Sequence, residues 1–153
     1  MSKKTIALIF LVIVLPVVIY LLWPSDAGRI KKLFREGARA IETKDVAGVM
    51  SNVSLNYRDE YGFTYLYIKE SLKAVFRKMS NIRVERENLT VDVKGKSATA
   101  DMDVRVIMSE GDETGYVMGD ASGPVHLTFT LEKERTKWLI VRTQGLPFDE
   151  QKF

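Results

Sequence analysis

The sequence predicts an α+β protein in which a transmembrane helix comes first, three further helices follow, and a curved antiparallel sheet of about four strands completes the chain. Three observations support this fold class. Residues 5–23 carry no charge, residues 29–79 repeat apolar side chains at helical spacing, and from Ile82 onward the apolar period changes to two. Helices that precede the strands in this way pack on one face of the sheet, because each element has one apolar side to bury.

The uncharged N-terminal segment reads TIALIFLVIVLPVVIYLLW, close to the roughly twenty residues that cross the hydrocarbon core. Tyr20 and Trp23 lie at its end, where amphipathic aromatic side chains favour the membrane interface. The competing interpretation is a signal peptide cleaved after Ala27, but the apolar run is longer than the roughly 7–15 residues of such peptides. We therefore predict a membrane anchor over residues 1–24, followed by a folded domain over residues 25–153.

The charges beside the anchor predict its orientation. Lys3 and Lys4 favour a cytoplasmic N-terminus, because positive flanks stay on the cytoplasmic side. A second basic group follows the segment and consists of Arg29, Lys31, Lys32 and Arg35. We assign this group to a helix of the folded domain, either as a solvated face or as a contact with anionic lipid headgroups. Residues 5–23 are then expected to contact the bilayer, with the domain extracytoplasmic, which is periplasmic in a bacterium.

The composition excludes several classes of function. The 153 residues include no cysteine, which excludes disulfides, thiolate catalysis and cysteine-ligated metals. His126 is the single histidine, so a site with several histidine ligands is excluded as well, and we expect neither a metal nor a cofactor. Apart from Lys3 and Lys4, basic and acidic side chains are nearly equal in number, which does not favour a nucleic-acid partner.

Three amphipathic helices are predicted between the anchor and the strands. The first places apolar residues at i, i+3, i+4 and i+7, on a face formed by Ile30, Leu33, Phe34, Gly37, Ala38 and Ile41. Asp45 is positioned as the N-cap of a second, short helix, and Thr64 as the N-cap of the third. One side of the third helix carries Tyr65, Ile68, Leu72, Val75 and Met79.

Alternation predicts the strands. One apolar face contains Ala98, Ala100, Met102, Val104, Val106 and Met108. A long strand is predicted over residues 116–132 and a last strand over residues 138–143. The apolar phase slips between Val84 and Leu89, and the stretch GDASGP interrupts the long strand. Both features predict bulges or bends, which curve a sheet and leave a concavity beneath the helices.

Five stretches within residues 26–143 carry a resemblance to a known family. They read, in order, AIETKDVAGVMSNVS, YRDEYG, IKESLKAVF, VERENLTVDVKGKSATADMDVRV and KWLIV. This succession resembles the NTF2-like family of cone-shaped α+β folds, which includes the SnoaL-like and ketosteroid-isomerase-like proteins. The resemblance implies a cone that serves as an enzyme site, a ligand pocket or an association domain, because the family includes all three. A subset has an N-terminal membrane anchor, and this chain is similar in layout.

The YRDEYG stretch has three interpretations that the sequence leaves open. Catalysis in ketosteroid-isomerase-like members needs a carboxylate base in an apolar cone and donors for a developing oxyanion, and the resemblance offers Asp59 as base with Tyr57 or Tyr61 as donor. Alternatively, these residues line a ligand pocket. Finally, Asp and Gly form turns ahead of helices, so that Asp59 accepts backbone N–H groups. The pocket predicted on this basis contains Met50, Tyr57, Asp59, Tyr61, Phe76 and Met102.

Further candidates lie on the strands. Asp101 and Asp103 share a face with Arg105, opposite the apolar face, and alternation indicates that this face is solvated. If it lined the cone instead, Asp103 would be an alternative general base. His126 shares a face with Thr128 and is a further candidate for acid–base work, although no neighbour in sequence selects its tautomer.

We predict from these observations a membrane-anchored NTF2-like domain that acts as a small-ligand-binding or protein-association module. The sheet is then a surface for a second copy or another protein, and the cone holds a small apolar ligand. An isomerase or cyclase with Asp59 or Asp103 as general base, acting on a small hydrophobic substrate, is the alternative enzyme. A periplasmic carrier of a lipid or other apolar ligand is the third possibility.

Overall fold

The structure is a computed structural model that describes the backbone of residues 3–147, with the side chains of residue 5 and residues 9–147. The helices are α1 (Lys3–Leu22), α2 (Asp26–Glu42), α3 (Val46–Met50) and α4 (Tyr65–Lys78). The strands are β1 (Ser80–Lys94), β2 (Ser97–Glu110), β3 (Glu113–Met118), β4 (Val125–Glu134) and β5 (Lys137–Gln144). Three helices after the first, followed by the strands, is the order that the sequence predicts.

Side-chain caps begin the three helices of the domain. The Ser25 hydroxyl accepts a hydrogen bond from the backbone N–H of Gly28 at 3.0 Å and caps α2. Asp45 caps α3 by accepting from the N–H of Gly48 at 2.9 Å, and Thr64 caps α4. Each cap satisfies a backbone donor that the first turn of a helix leaves without a partner. The predicted caps Asp45 and Thr64 are thus confirmed.

All strand pairs are antiparallel, and β2 is the centre of the sheet. The order is β1-β2-β4-β5, with β3 paired to the far end of β2 beyond β4. Within residues 3–147 the sheet therefore has five strands rather than about four. The predicted long strand over residues 116–132 is two strands because Gly119 takes a φ of 75° and Asp120 then closes a turn. The Asp120 carboxylate accepts hydrogen bonds from the N–H groups of Ser122 and Gly123.

A bulge bends β1 where the apolar phase slips. The register against β2 shifts between Glu87 and Thr90, and Asn88 within this step has a φ of 54°. An extra residue in one strand increases the local twist and bends the sheet. The predicted bulge is confirmed, and with it the curvature that separates the sheet from the helices above it.

The core lies between the concave face of the sheet and the helices α2 and α4. The alternate residues of β2 from Ala98 to Met108 are all buried, as their spacing predicts. Ile30 of α2 and Leu131 of β4 are completely buried at its centre. In the described part of the chain, every residue of this core lies between Ile30 and Leu146, so α1 contributes nothing to it.

Helix α1 exposes most of the apolar side chains that the structure describes in it. Tyr20 is 81% exposed and Leu22 76% exposed, and neither is covered by the domain. Among the described residues, no helix by itself has the length and hydropathy of a membrane span, although Ile9–Leu22 and Asp26–Glu42, bent by 45°, reach them together. The membrane anchor predicted for residues 5–23 therefore stays a prediction.

Candidate functional site

A cavity of about 280 Å³ lies between the sheet and the helices. Every element from α2 to β5 contributes to its wall, and most of the wall is aliphatic, aromatic or methionine. On α2 the small residues Gly37 and Ala38 face it, and a Cβ built on Gly37 would meet only the Asn52 side chain, at 3.8 Å. Small side chains at this point leave the space that larger ones would fill.

Four polar side chains interrupt the apolar wall, namely Asn52, Tyr57, Arg86 and Thr143. None of the described residues that line the cavity is an aspartate, a glutamate or a histidine. The site therefore offers a large apolar surface with a few hydrogen-bonding groups and one cation. This composition is typical of a pocket that holds an apolar molecule and orients it with a few polar contacts.

Tyr57 is the buried polar group at one side of the cavity. Its side chain is 5% exposed, and burial raises the pKa of its hydroxyl to about 12. A hydrogen bond with the Thr143 hydroxyl acts in the opposite direction, and the negative charge of Asp59 raises the pKa further. Tyr57 consequently stays protonated at neutral pH and can donate or accept a hydrogen bond without carrying charge.

Asp59 is buried, at 4% exposure, but lies outside the cavity wall. Its Oδ1 accepts hydrogen bonds from the N–H groups of Tyr61 and Phe63, both at 2.9 Å. Its Oδ2 is buried and has no hydrogen-bond partner in the described part of the chain. Gly62, with a φ of 82°, closes the turn. The carboxylate is thus placed where it organises the loop before α4.

Of the six predicted pocket residues, Tyr57 and Met102 line the cavity and the other four do not. Asp59 faces its own loop, as described above. Met50 is buried, but the short helix α3 turns Val49 toward the cavity instead. Phe76 lies in the last turn of α4, beside a separate groove near Lys44.

Tyr61, the fourth of these residues, stays 48% exposed, and its hydroxyl donates to the Leu146 carbonyl at 3.0 Å. Next to it, the Glu60 carboxylate accepts a hydrogen bond from the N–H of Gly145 at 2.9 Å. Leu146 itself lines the cavity. These two contacts hold the chain after β5 against the loop before α4.

Asp103 and His126 lie on the outer face of the sheet, away from the cavity. They are paired across β2 and β4, with Nδ1 of His126 2.8 Å from Oδ1 of Asp103. The Asn88 amide donates to the other oxygen of Asp103 at 2.7 Å and, together with His126, lowers the pKa of that carboxyl. The hydrogen bond to Asp103 in turn raises the pKa of His126. The structure does not bring these two candidates near Tyr57 and Asp59.

Sequence reasoning missed three of the polar residues that line the cavity. Arg86 follows Ile82 and Val84 at a spacing of two, so a charged residue at an apolar position was the signal that could have found it. Asn52 and Thr143 stand in stretches without such a signal. Among the described residues, no group of three or more His, Asp or Glu side chains could hold a metal ion.

The fold and its cavity define a cone-shaped α+β domain with an apolar interior. The sequence model of the SnoaL-like domain family matches residues 30–145, which is more than half of the chain. This protein therefore belongs to the SnoaL-like domain family, which confirms the resemblance to NTF2-like and SnoaL-like proteins. No curated protein matches the chain.

Solved structures of low sequence identity share the fold. A proposed aromatic ring hydroxylase from Novosphingobium aromaticivorans has a TM-score of 0.65 at 20% identity, covering 77% of this chain and 85% of its own. A proposed dehydratase of the NTF2-like family from Streptomyces avermitilis has a TM-score of 0.64 at 12% identity, covering 77% and 92%. A proposed calcium/calmodulin-dependent protein kinase II association domain from Xanthomonas campestris has a TM-score of 0.63 at 16% identity, covering 82% and 91%. At these identities the likeness establishes the fold alone.

Proposed function

We propose that this protein is a binding module for a small apolar ligand, which occupies the cavity between the helices and the sheet. The observation that carries the proposal is the cavity itself, about 280 Å³ in volume and almost entirely apolar in its wall. Apolar surface gains free energy when it leaves water, so such a wall favours an apolar occupant. The volume is near the lower end of the roughly 300–1,000 Å³ found for ligand pockets, which favours a small molecule.

The alternative functions have less support from the positions of their residues. An isomerase or cyclase needs a base that reaches its substrate, whereas Asp59 faces its own loop and Asp103 lies on the outer face of the sheet. Association through the sheet would bury a face that carries ion pairs, such as Arg105 with Glu85 at 2.8 Å. A carrier of two-chain lipids would need a larger cavity than this one.

We further propose that α1 anchors the domain to a membrane, with the domain on the extracytoplasmic side. The support is the run of exposed apolar side chains between Ile9 and Leu22 of α1, which no described part of the domain covers. The backbone of α1 covers 20 residues and is about 30 Å long, close to the thickness of the hydrocarbon core. Its described side chains, Ile9–Leu22, are too few to make a span by themselves.

Binding can be tested by NMR of the full chain in lipid nanodiscs, with ¹³C-labelled methionine methyl groups and 1-octanol as the probe. Met102 and Met118 line the cavity, and Met50 is buried outside it as an internal control. We expect saturable shifts of the Met102 and Met118 signals and little change at Met50. The Ala38→Leu variant fills part of the cavity and should weaken binding, while Ala121→Leu, in an exposed loop, should not.

Two results of this experiment would contradict the proposal. One is the absence of saturable shifts at both cavity methionines. The other is a titration that Ala38→Leu leaves unchanged while the spectrum shows a folded domain, because the probe would then bind elsewhere.

A further inference from the structure

Arg86 differs from the other half-buried arginines in having no partner. In the described part of the chain, three arginines are neither buried nor fully exposed, namely Arg29, Arg86 and Arg105. Arg29 lies over the ring of Trp23, and Arg105 forms an ion pair with Glu85 at 2.8 Å. The side chain of Arg86 has no ion pair or hydrogen bond with any described residue.

Arg86 is part of the cavity wall. It lies on β1 opposite Val104 of β2, two residues after Val84, and all three residues line the cavity. Glu85, between Val84 and Arg86, faces the other side of the sheet, where it pairs with Arg105. The other carboxylate near this strand, that of Glu42 at the end of α2, accepts a hydrogen bond from the backbone N–H of Val84 at 3.0 Å and does not line the cavity. Among the described residues of the cavity wall, Arg86 is the one cation and none is a counterion.

A guanidinium group beside an apolar wall loses hydration, and that loss is compensated only when an anion or another acceptor pairs with it. The described wall contains no carboxylate that could do so. A ligand that brings its own negative charge would supply the partner. The planar fork of arginine fits a carboxylate with two parallel hydrogen bonds, which gives orientation as well as affinity.

We infer that the ligand of this cavity is a small apolar carboxylate, with its hydrocarbon body against the apolar wall and its carboxylate on Arg86. This inference rests on the proposed function and adds the chemical class of the ligand. One arginine balances one negative charge, which favours a carboxylate over a phosphate with its charge of about −1.5 to −2. A volume of about 280 Å³ corresponds to roughly nine water molecules. A methylene group takes up about as much space as a water molecule, so a ligand of about eight carbons in all fits the cavity.

The test compares octanoate with 1-octanol on the full chain in nanodiscs, at neutral pH, by the same methionine methyl signals. For Arg86→Gln we expect octanoate to bind about tenfold more weakly than to the unaltered protein, because a charge-assisted pair is lost. Binding of 1-octanol should change by less than about twofold, since the apolar wall is intact. Partition of each probe into lipid is equal for both proteins and cancels in the comparison.

Two further variants complete the experiment. Arg142→Gln removes an exposed arginine on β5 that lies outside the cavity wall, and octanoate binding should not change. Arg86→Lys keeps a cation at the site and should bind octanoate more tightly than Arg86→Gln. Equal octanoate affinity in the unaltered protein and Arg86→Gln overturns the inference while 1-octanol binding still supports the apolar pocket. If neither probe binds to the unaltered protein, the proposed function as an apolar binding module is overturned as well.

Discussion

At the scale of single residues, the Asp59 carboxylate lies outside the cavity wall, whereas a catalytic base would have to reach a substrate inside the cavity. Its Oδ1 accepts from two backbone N–H groups, and no wall residue of the cavity shares these bonds. The turn that it organises lies between Tyr57, in the cavity wall, and Thr64, the N-cap of α4. Asp59 therefore influences the cavity in two ways, through the backbone of the loop and through its negative charge, which raises the pKa of Tyr57.

Replacement of Asp59 by alanine should lower the free energy of unfolding by about 2 kcal/mol, because two backbone donors lose a charged acceptor. Asp59→Asn keeps an acceptor oxygen and should cost about half as much or less. Urea denaturation of the two variants measures the difference. If alanine and asparagine were equally destabilising, the hydrogen bonds to Oδ1 would not be the source of the effect.

The pair of His126 and Asp103 should give a measurable pH dependence at the residue scale. The hydrogen bond to Asp103 raises the pKa of His126 above its ordinary 6.5, so this stabilisation is complete below that value and is lost as the pH rises through the folded-state pKa. The pKa of Asp103 is lowered, so the stabilisation that its pairing contributes depends on pH in the opposite sense. That stabilisation is complete above pH 3.8 and is lost as the pH falls through the folded-state pKa of Asp103.

An NMR titration of the His126 ring checks this prediction directly. The Asp103→Asn variant should shift the pKa of His126 down, and Asn88→Ala should shift the pKa of Asp103 up toward its ordinary value. Because both side chains are on the surface, added salt should reduce the difference in the pKa of His126 between the unaltered protein and Asp103→Asn. An unchanged His126 titration in Asp103→Asn would show that the hydrogen bond is absent in solution.

At the scale of elements, the surroundings of Gly37 in α2 differ from those of Gly48 in α3. A Cβ on Gly37 would make an ordinary contact of 3.8 Å with the Asn52 side chain. A Cβ on Gly48 would overlap the Asp45 carboxylate and lie 3.1 Å from the Ala40 side chain. The first position can accept a methyl group, whereas the second would displace the N-cap of α3.

Gly37→Ala should stabilise the protein by about 0.5–1 kcal/mol, since alanine loses less backbone entropy in a helix than glycine. Gly48→Ala should destabilise it by about 1 kcal/mol through the lost cap. Chemical denaturation under identical conditions compares the pair. A stabilised Gly48→Ala variant would indicate that Asp45 does not cap α3.

At the scale of the whole molecule, the chain has two parts that share no core. The described core residues begin at Ile30, and most of the described apolar side chains of α1 are exposed. An apolar helix that the domain leaves uncovered is available to another apolar environment, which is the basis of the proposed anchor.

Deletion of residues 1–24 should leave the thermal midpoint of the domain unchanged, because no core contact is removed. The full chain should sediment with liposomes, and the deletion variant should stay in the supernatant. Circular dichroism and co-sedimentation with liposomes measure the two properties. A deletion variant that still binds liposomes would place the membrane contact on the domain, and a full chain that does not bind would contradict the anchor.

The sequence by itself determined the features that depend on near neighbours in the chain. The caps Asp45 and Thr64, the buried face of β2 and the bulge in β1 all follow from spacings of a few residues, because a helix or strand repeats its geometry over that distance. The family resemblance was confirmed for the same reason, since it rests on the order of such elements.

Only the tertiary structure decided which residues meet at the cavity. Tyr61 and Leu146 are 85 residues apart and are joined by a hydrogen bond, and Tyr57 meets Thr143 over a similar separation. Arg86 lies in the wall because β1 pairs with β2 in one particular register. Contacts of this kind depend on how the sheet curves and how the helices cross it. No local spacing in the chain reports that geometry, so the cavity and its unpaired arginine emerge only when the elements are assembled.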